Sequence, residues 1–290
     1  MKILHQYIVA LCLGVVIIVA LLMHKTNTTH KQKKKVKEPI QAPPPPLARI
    51  VNDFSRILDK STTLDPVVSV ITTVYTLNEQ VIQTTVSCIK NQSLQNWEWL
   101  IVDDAVEENA RLKSFTQNLN DTRIRYVRKG HNGLPGARNV GISEARGIYF
   151  YPLDDDDLIE HHTLEILYFS LQANPAASFV NGYSYGFGYK TYKYPFGYGN
   201  PEGFMKENFG TYSMMCRRDH WLEEGGYATN RTGGLEDWDM IMKLMNANKW
   251  GYTIPEYLFS YRTRATHADR LVVFNNILNI YIEILTSIPR

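Results

Sequence analysis

From Val67 onward the chain alternates short β-rich apolar runs with amphipathic stretches. Val67–Thr73 is a strand-like run that begins just after Pro66. Asn78 is placed to cap a helix through about Gln92, with Val81, Ile82, Thr85, Cys88 and Ile89 on one face. Trp97–Val102 predicts a second strand, Glu107–Leu119 a helix, Arg123–Val127 a third strand and Gly136–Arg146 another helix. Ile148, Tyr149, Phe150, Tyr151 and Leu153 form a continuous apolar run, the pattern of a strand buried on both faces. Alternating elements of these lengths predict an α/β domain with a doubly wound, mostly parallel sheet.

Two of these strands run into acids: Asp103-Asp104, and the four residues Asp154, Asp155, Asp156 and Asp157. Like charges about 4 Å apart repel by about 1 kcal/mol in water and about 4 kcal/mol near a protein surface. A fixed carboxylate cluster at a strand end therefore calls for a cation, and hard divalent ions bridge protein carboxylates to substrate phosphates. In open α/β sheets ligands bind beyond the carboxyl ends of the strands, where both acid groups fall. Taken alone, an aspartate run also reads as a solvated acidic loop.

Composition adds limits. A chain of 290 residues with 44% hydrophobic content can bury one sizeable core. A formal charge of +2 gives no footing for nucleic acid, and Cys12, Cys88 and Cys216 form neither a disulfide framework nor a zinc spacing. After a short tail, 1–6, residues 7–23 are apolar and approach the roughly 20 residues that cross a bilayer. No small-x-small cleavage site follows, which favours an uncleaved single-pass anchor. Residues 24–65, lysine-rich and then proline-rich, read as a stalk that holds a domain, 66–290, off a membrane. The lysines after the apolar segment favour a cytoplasmic domain. Four N-x-S/T sites, at Asn27, Asn91, Asn120 and Asn230, and the anchor–stalk–domain layout favour a lumenal one, in Golgi or endoplasmic reticulum.

Gly130, Gly133 and Gly136 follow the third strand at G-x-x-G-x-x-G spacing, which does not fit a dinucleotide fingerprint. A loop that opens a helix, with Arg138 in its first turn, suits a phosphate or nucleotide, or is an ordinary helix start with a surface arginine. Asp237 opens an amphipathic helix (Met240, Ile241, Leu244, Met245), a position that the helix dipole favours for any acid. Residues 181–204 are rich in Gly and Tyr, and read equally as an exposed aromatic binding platform or as paired strands with a packed loop. Trp221 reads as core, and His161 and His162 as ordinary helix residues.

Five blocks in order are similar to the family-2 inverting glycosyltransferases of the GT-A fold. They are V-S-V-I-T-T-V-Y-T-L-N-E (68–79), W-L-I-V-D-D-A (99–105), H-N-G-L-P-G-A-R-N-V-G-I (131–142), G-I-Y-F-Y-P-L-D-D-D-D (147–157) and G-G-L-E-D-W-D (233–239). The resemblance implies a Rossmann-like GT-A sheet, with 66–157 as the nucleotide-binding half and 158–290 as the acceptor half. It implies a nucleotide-sugar donor, UDP-linked by preference, a saccharide or glycoconjugate acceptor, and a Mn2+ or Mg2+ ion. Thr73 and Asp104 match base and ribose contacts, with Asp103 beside them, and Arg138 matches an arginine near the nucleotide. Asp154 and Asp156 match the D-x-D motif, Asp156 on the metal and Asp154 facing ribose or sugar, with Asp155 between them. Glu236 and Asp237 match the E-D pair, whose aspartate is the general base. T-V-Y-T stands where the family has P-x-Y-N, and Asp155 and Asp157 leave the metal register open by one residue. His267 falls where some relatives place a diphosphate or metal contact.

Overall fold

The computed structural model describes residues 65–198, 211–230 and 235–264. The expected anchor and stalk, His267 and the apolar stretch from Leu271 lie outside the described residues. No helix among the described residues is long and apolar enough to cross a membrane.

The strands β1 (Val68–Val74), β2 (Trp97–Asp103), β3 (Ile124–Val127) and β4 (Tyr149–Pro152) pair in parallel, in the spatial order β3-β2-β1-β4. Val68 faces both Trp97 and Tyr149 in register, so the three carboxyl ends reach one rim together. Near that rim the Trp99 indole donates to Thr72 Oγ1 (2.9 Å), and Thr72 Oγ1 donates to the Leu153 carbonyl (2.7 Å). The hydroxyl thus stitches β2, β1 and the exit of β4 together.

Side chains alternate across each strand, and so split the apolar set between two faces. Val70, Trp99, Ile101, Tyr149 and Tyr151 pack with Ile82, Val86 and Ile89 of α1 (Glu79–Lys90), Leu112 of α2 (Ala110–Asn118) and Leu164, Leu167 and Leu171 of α4 (Thr163–Ala173). Ile71, Leu100, Val102 and Phe150 pack with Ala137 and Ile142 of α3 (Gly133–Glu144), Trp221 of α5 (Arg218–Glu223) and Ile241 and Leu244 of α6 (Glu236–Asn246). The result is a sheet covered by helices on both faces, the doubly wound arrangement expected. Asn78 caps α1, its side chain accepting from the Val81 amide at 3.3 Å.

The second half departs from a mostly parallel sheet. β8 (Met215–Arg217) runs antiparallel between β4 and β6 (Phe179–Gly188). β6 then pairs in parallel with β9 (Gly251–Thr263), and antiparallel with β7 (Tyr192–Tyr194). The two-residue β5 (Leu158–Ile159) closes the edge on β9. The sheet is therefore mixed, parallel on the β1–β4 side and interrupted by β8 beyond it.

One smaller expectation changes, and one holds. Ile148 is exposed, one residue before the buried run starts. Cys88 and Cys216 are both free thiols. Cys88 Sγ donates to the Ile159 carbonyl (3.0 Å) and accepts from the Ile159 amide (3.1 Å), so it ties α1 to β5, and burial pushes its pKa up to about 11.

The acid run is held as a turn from outside itself. Thr85 Oγ1 donates to the carbonyls of Asp155 (2.9 Å) and Asp157 (3.2 Å). Asp157 is fully buried: it accepts from the Tyr212 hydroxyl at 2.6 Å and from the Arg262 amide at 2.7 Å. Burial raises its carboxyl from the ordinary 3.8 to about 8, against the pull of those two donors.

Two predictions follow from this packing. A Cβ on Gly141 would collide with Ile71 Cγ2 and press on Val102 Cγ2 at 3.1 Å. Gly141→Ala should therefore cost about 1–3 kcal/mol in denaturant unfolding, and an unchanged midpoint would show that α3 can lift off the sheet freely. Asp157 has a folded pKa above its unfolded one, so its contribution is complete below about pH 4 and is lost as pH rises through about 8. Stability should fall by at most about 1.4 kcal/mol per pH unit across that window from this group. Asp157→Asn should flatten the slope; an identical pH profile would show that the carboxyl does not titrate there.

Candidate functional site

Where β1, β2 and β4 end, a cleft of about 530 Å³ opens. Thr73 near the end of β1 lines it, with Tyr75 and Thr76 just beyond that strand, Asp104 after β2, and Asp154, Asp155 and Asp156 after β4. His131, Gly133 and Leu134 line it from the entry to α3, and Arg264 from beyond β9. The two acid groups thus share one rim, as the parallel register requires.

Adjacent aspartates take different parts. Asp103 is fully buried and accepts from the amides of Ala105 (3.0 Å) and Asn109 (2.9 Å) and from the Tyr126 hydroxyl (2.5 Å). Burial would raise its pKa, but those donors together with Arg128 outweigh it and hold the carboxyl below its usual value. It organises the β2–α2 loop and does not line the cleft, unlike the placement at the nucleotide that its neighbour suggested. Asp104 does line it, and its Oδ1 accepts from the Asn132 amide at 2.8 Å. His131 Nδ1 lies 2.6 Å from the Asp104 carbonyl, and its ring is 5.6 Å from that of Tyr75. Gly133 opens α3 at φ 68, a conformation that side chains other than glycine's rarely take, so the chain can turn from Asp104 into the helix.

Arg138 does not line the cleft. It is buried, and its guanidinium reaches three carboxylates: Asp154 Oδ1 from Nη2 at 3.0 Å, and Asp237 Oδ1 and Glu236 Oε1 from Nη1 at 3.0 and 3.2 Å. The rings of Tyr212 and Tyr227 lie 4.8 and 5.6 Å from it. Burial disfavours its charge, yet Asp237, Asp154 and Glu236 keep it firmly protonated. Burial likewise pushes the Asp237 carboxyl up, with Arg138 opposing and Glu236 and Asp154 adding to the rise. Leu235, just before the pair, holds φ 68 without being glycine, a strained entry that aims the first turn of α6. Glu236 and Asp237 join the cleft through Arg138 and Asp154.

Within the acid run, Asp157 is turned inward, which leaves Asp154, Asp155 and Asp156 on the cleft. Arg262 Nε donates to the Asp156 carbonyl at 2.9 Å, and Arg264 reaches Asp156 Oδ2 from Nη2 at 2.5 Å. Burial first, then Asp156 and Asp154, raise the Asp155 carboxyl to about 6. Among the described residues no three His, Cys, Asp or Glu side chains converge as a metal cage. The protein side offers one or two carboxylates, the number that Mg2+ and Mn2+ use when substrate phosphates and water complete the shell, and hard oxygen donors suit both. The residues present fit such an ion.

His161 and His162 are exposed, ring against ring at 4.4 Å, away from the cleft lining. Trp221 and Trp238 are core. The tyrosine-rich stretch forms paired strands: Tyr185 stacks on Tyr257 at 4.3 Å, Tyr198 is buried, and Tyr189 and Tyr192 are exposed. His131, Thr76 and Arg264 are cleft residues that pattern reading had not singled out. The first two sit inside matched blocks, whereas Arg264 reaches the acids through the β5–β9 pairing and the Arg262 contacts, which no local pattern signals.

Residues 69–235 match the family model described as Glycosyl transferase family 2. The chain is 28% identical over 121 residues to the glycosyltransferase GlyG of Streptococcus pneumoniae, a match that covers 41% of this chain and 40% of that protein. It is 32% identical over 119 residues to WfgD of Escherichia coli, a UDP-Glc:alpha-D-GlcNAc-diphosphoundecaprenol beta-1,3-glucosyltransferase, covering 41% and 46%. The chain thus spans less than half the length of these curated relatives. Among solved structures it resembles Staphylococcus aureus TarS in complex with UDP-GlcNAc (TM-score 0.56, 17% identity, 77% of this chain and 68% of that one). It also resembles the mannosyltransferase PcManGT of Pyrobaculum calidifontis in complex with GDP-Man and Mn2+ (TM-score 0.59, 18% identity, 84% and 72%). These likenesses support the GT-A fold, and the family match spans more than half of the 290 residues, so the chain belongs to glycosyl transferase family 2.

Proposed function

We propose that this chain is a metal-dependent, inverting transferase that moves a sugar from a UDP-linked donor to a hydroxyl of a saccharide or glycoconjugate. One observation carries the reading: a single cleft holds Asp104 and Asp154–Asp156, and one arginine links its acids to Glu236 and Asp237. UDP is favoured because WfgD and the TarS complex both carry it in their descriptions. In this reading Thr73, Asp104 and Tyr75 bind the nucleoside, and Asp154 faces the ribose or sugar.

Asp156, with Asp155 beside it, would hold Mn2+ or Mg2+, which supplies Lewis-acid neutralisation of the departing diphosphate when bound. Asp237 accepts the proton of the acceptor hydroxyl as that oxygen bonds to the anomeric carbon and the bond to the diphosphate breaks. A base works best with a pKa near the working pH, and burial drives Asp237 in that direction. Arg138 keeps the base and Asp154 in fixed relation. The exposed tyrosines of the β6–β7 hairpin offer a surface for the acceptor. Anchoring through residues 7–23, with a lumenal catalytic domain, remains part of the proposal on sequence grounds.

Asp237→Asn should retain metal-dependent nucleotide binding while transfer falls by about 10²–10⁴-fold; transfer at the normal rate would reject Asp237 as the base. Asp156→Asn should weaken UDP binding only when Mn2+ is present. Unchanged Mn2+-dependent UDP affinity, measured calorimetrically, would remove Asp156 from the metal.

A further inference from the structure

Three arginines touch the acidic turn, and they are not equivalent. Arg138 is buried among carboxylates, and the Arg262 guanidinium lies 4.5 Å from the Phe187 ring while it donates to a backbone carbonyl. Arg264 is different. Its Nε and Nη2 both donate to one oxygen, Asp156 Oδ2, at 3.1 and 2.5 Å. Its side chain is 70% exposed, whereas that of Asp156 is 11% exposed. The backbone that carries it is fixed: the Arg262 amide donates to Asp157, and Thr263 Oγ1 donates to the carbonyls of Phe187 (2.8 Å) and Lys190 (2.9 Å). The guanidinium can therefore swing on a long side chain while its Cα stays at the cleft mouth.

A cation bound at Asp156 Oδ2 and a guanidinium donating twice to that oxygen compete for the same lone pairs. We propose that Arg264 is a displaceable counter-ion: it guards Asp156 against the divalent ion, and once displaced it turns to the diphosphate of the donor. The inference rests on the metal-dependent reading above. Metal bound alone must break the ion pair, whereas metal arriving with a diphosphate gives the guanidinium a new bidentate partner. Metal and nucleotide should then bind cooperatively, each raising the affinity of the other by the same factor. The sequence distance of 108 residues between the partners is bridged by the pairing of β5 with β9 and by the Arg262 contacts to Asp156 and Asp157, so the coupling is built into the sheet and its edge.

The test uses the full chain and Mn2+ alone, with free ion followed by electron paramagnetic resonance. Arg264→Gln should bind Mn2+ about two- to fivefold more tightly than wild type, the range expected when a largely exposed ion pair stops competing. At saturating Mn2+ the same variant should bind UDP more weakly, and Arg264→Lys should lie between the two. Equal Mn2+ affinity in wild type and Arg264→Gln would overturn the competition and leave the metal reading intact. Tighter Mn2+ with unchanged UDP affinity would overturn the transfer of the guanidinium to the diphosphate. Absence of Mn2+ binding by either protein, with or without UDP, would sink the metal reading itself, and this inference with it.

Discussion

The site depends on one buried guanidinium. Arg138 answers three carboxylates from two distant parts of the chain, Asp154 from the turn after β4 and Glu236 and Asp237 from the start of α6. Breaking a buried pair by removing one partner typically costs about 3–5 kcal/mol, because the remaining charge is stranded. Here the loss would strand up to three. One positive charge among three negative ones also leaves the centre short of cation, which agrees with the raised carboxyl of Asp237. The same contact that fixes the geometry therefore leaves room for a further positive charge.

The sheet makes this contact reachable. β1, β2 and β4 arrive at the rim in register, and α3 then packs back over β1 and β2 so closely that Gly141 has no room for a methyl group. That close approach brings Arg138, one turn earlier in α3, to the exit of β4. On the opposite face Thr85 of α1 holds the acid turn through its backbone, and Tyr212 and Arg262 hold it through Asp157. A turn of four acids would be poorly defined by itself; neighbours from three other segments define it.

Much of this was legible from pattern. The first four strands and three helices follow from apolar runs and amphipathic spacing, and the acids at strand ends pointed to one rim. What stayed hidden has physical causes. Consecutive strand residues point to opposite sides, so Asp103-Asp104 gave no sign which member faces the cleft. Asp157 looked like its three neighbours, because only its partners Tyr212 and the Arg262 amide turn it inward. Arg138 read as a nucleotide contact because its carboxylates at 236 and 237 are 98 and 99 residues away. β5 and β8, two and three residues long, are too short to carry a period, and their antiparallel pairings made the sheet mixed.

β8 has a wider meaning for how such a chain can diversify. It enters the sheet directly beside β4, so the polypeptide that departs after the aspartates is brought home next to where it left. Between those two points β5, β6 and β7 are themselves paired into the sheet and α4 packs on it, so only the connections between these elements are free to vary. Loop closure grows costly very slowly with length, about 0.6 kcal/mol per doubling. Those connections can lengthen or shorten at little cost while the rim beneath them keeps its shape.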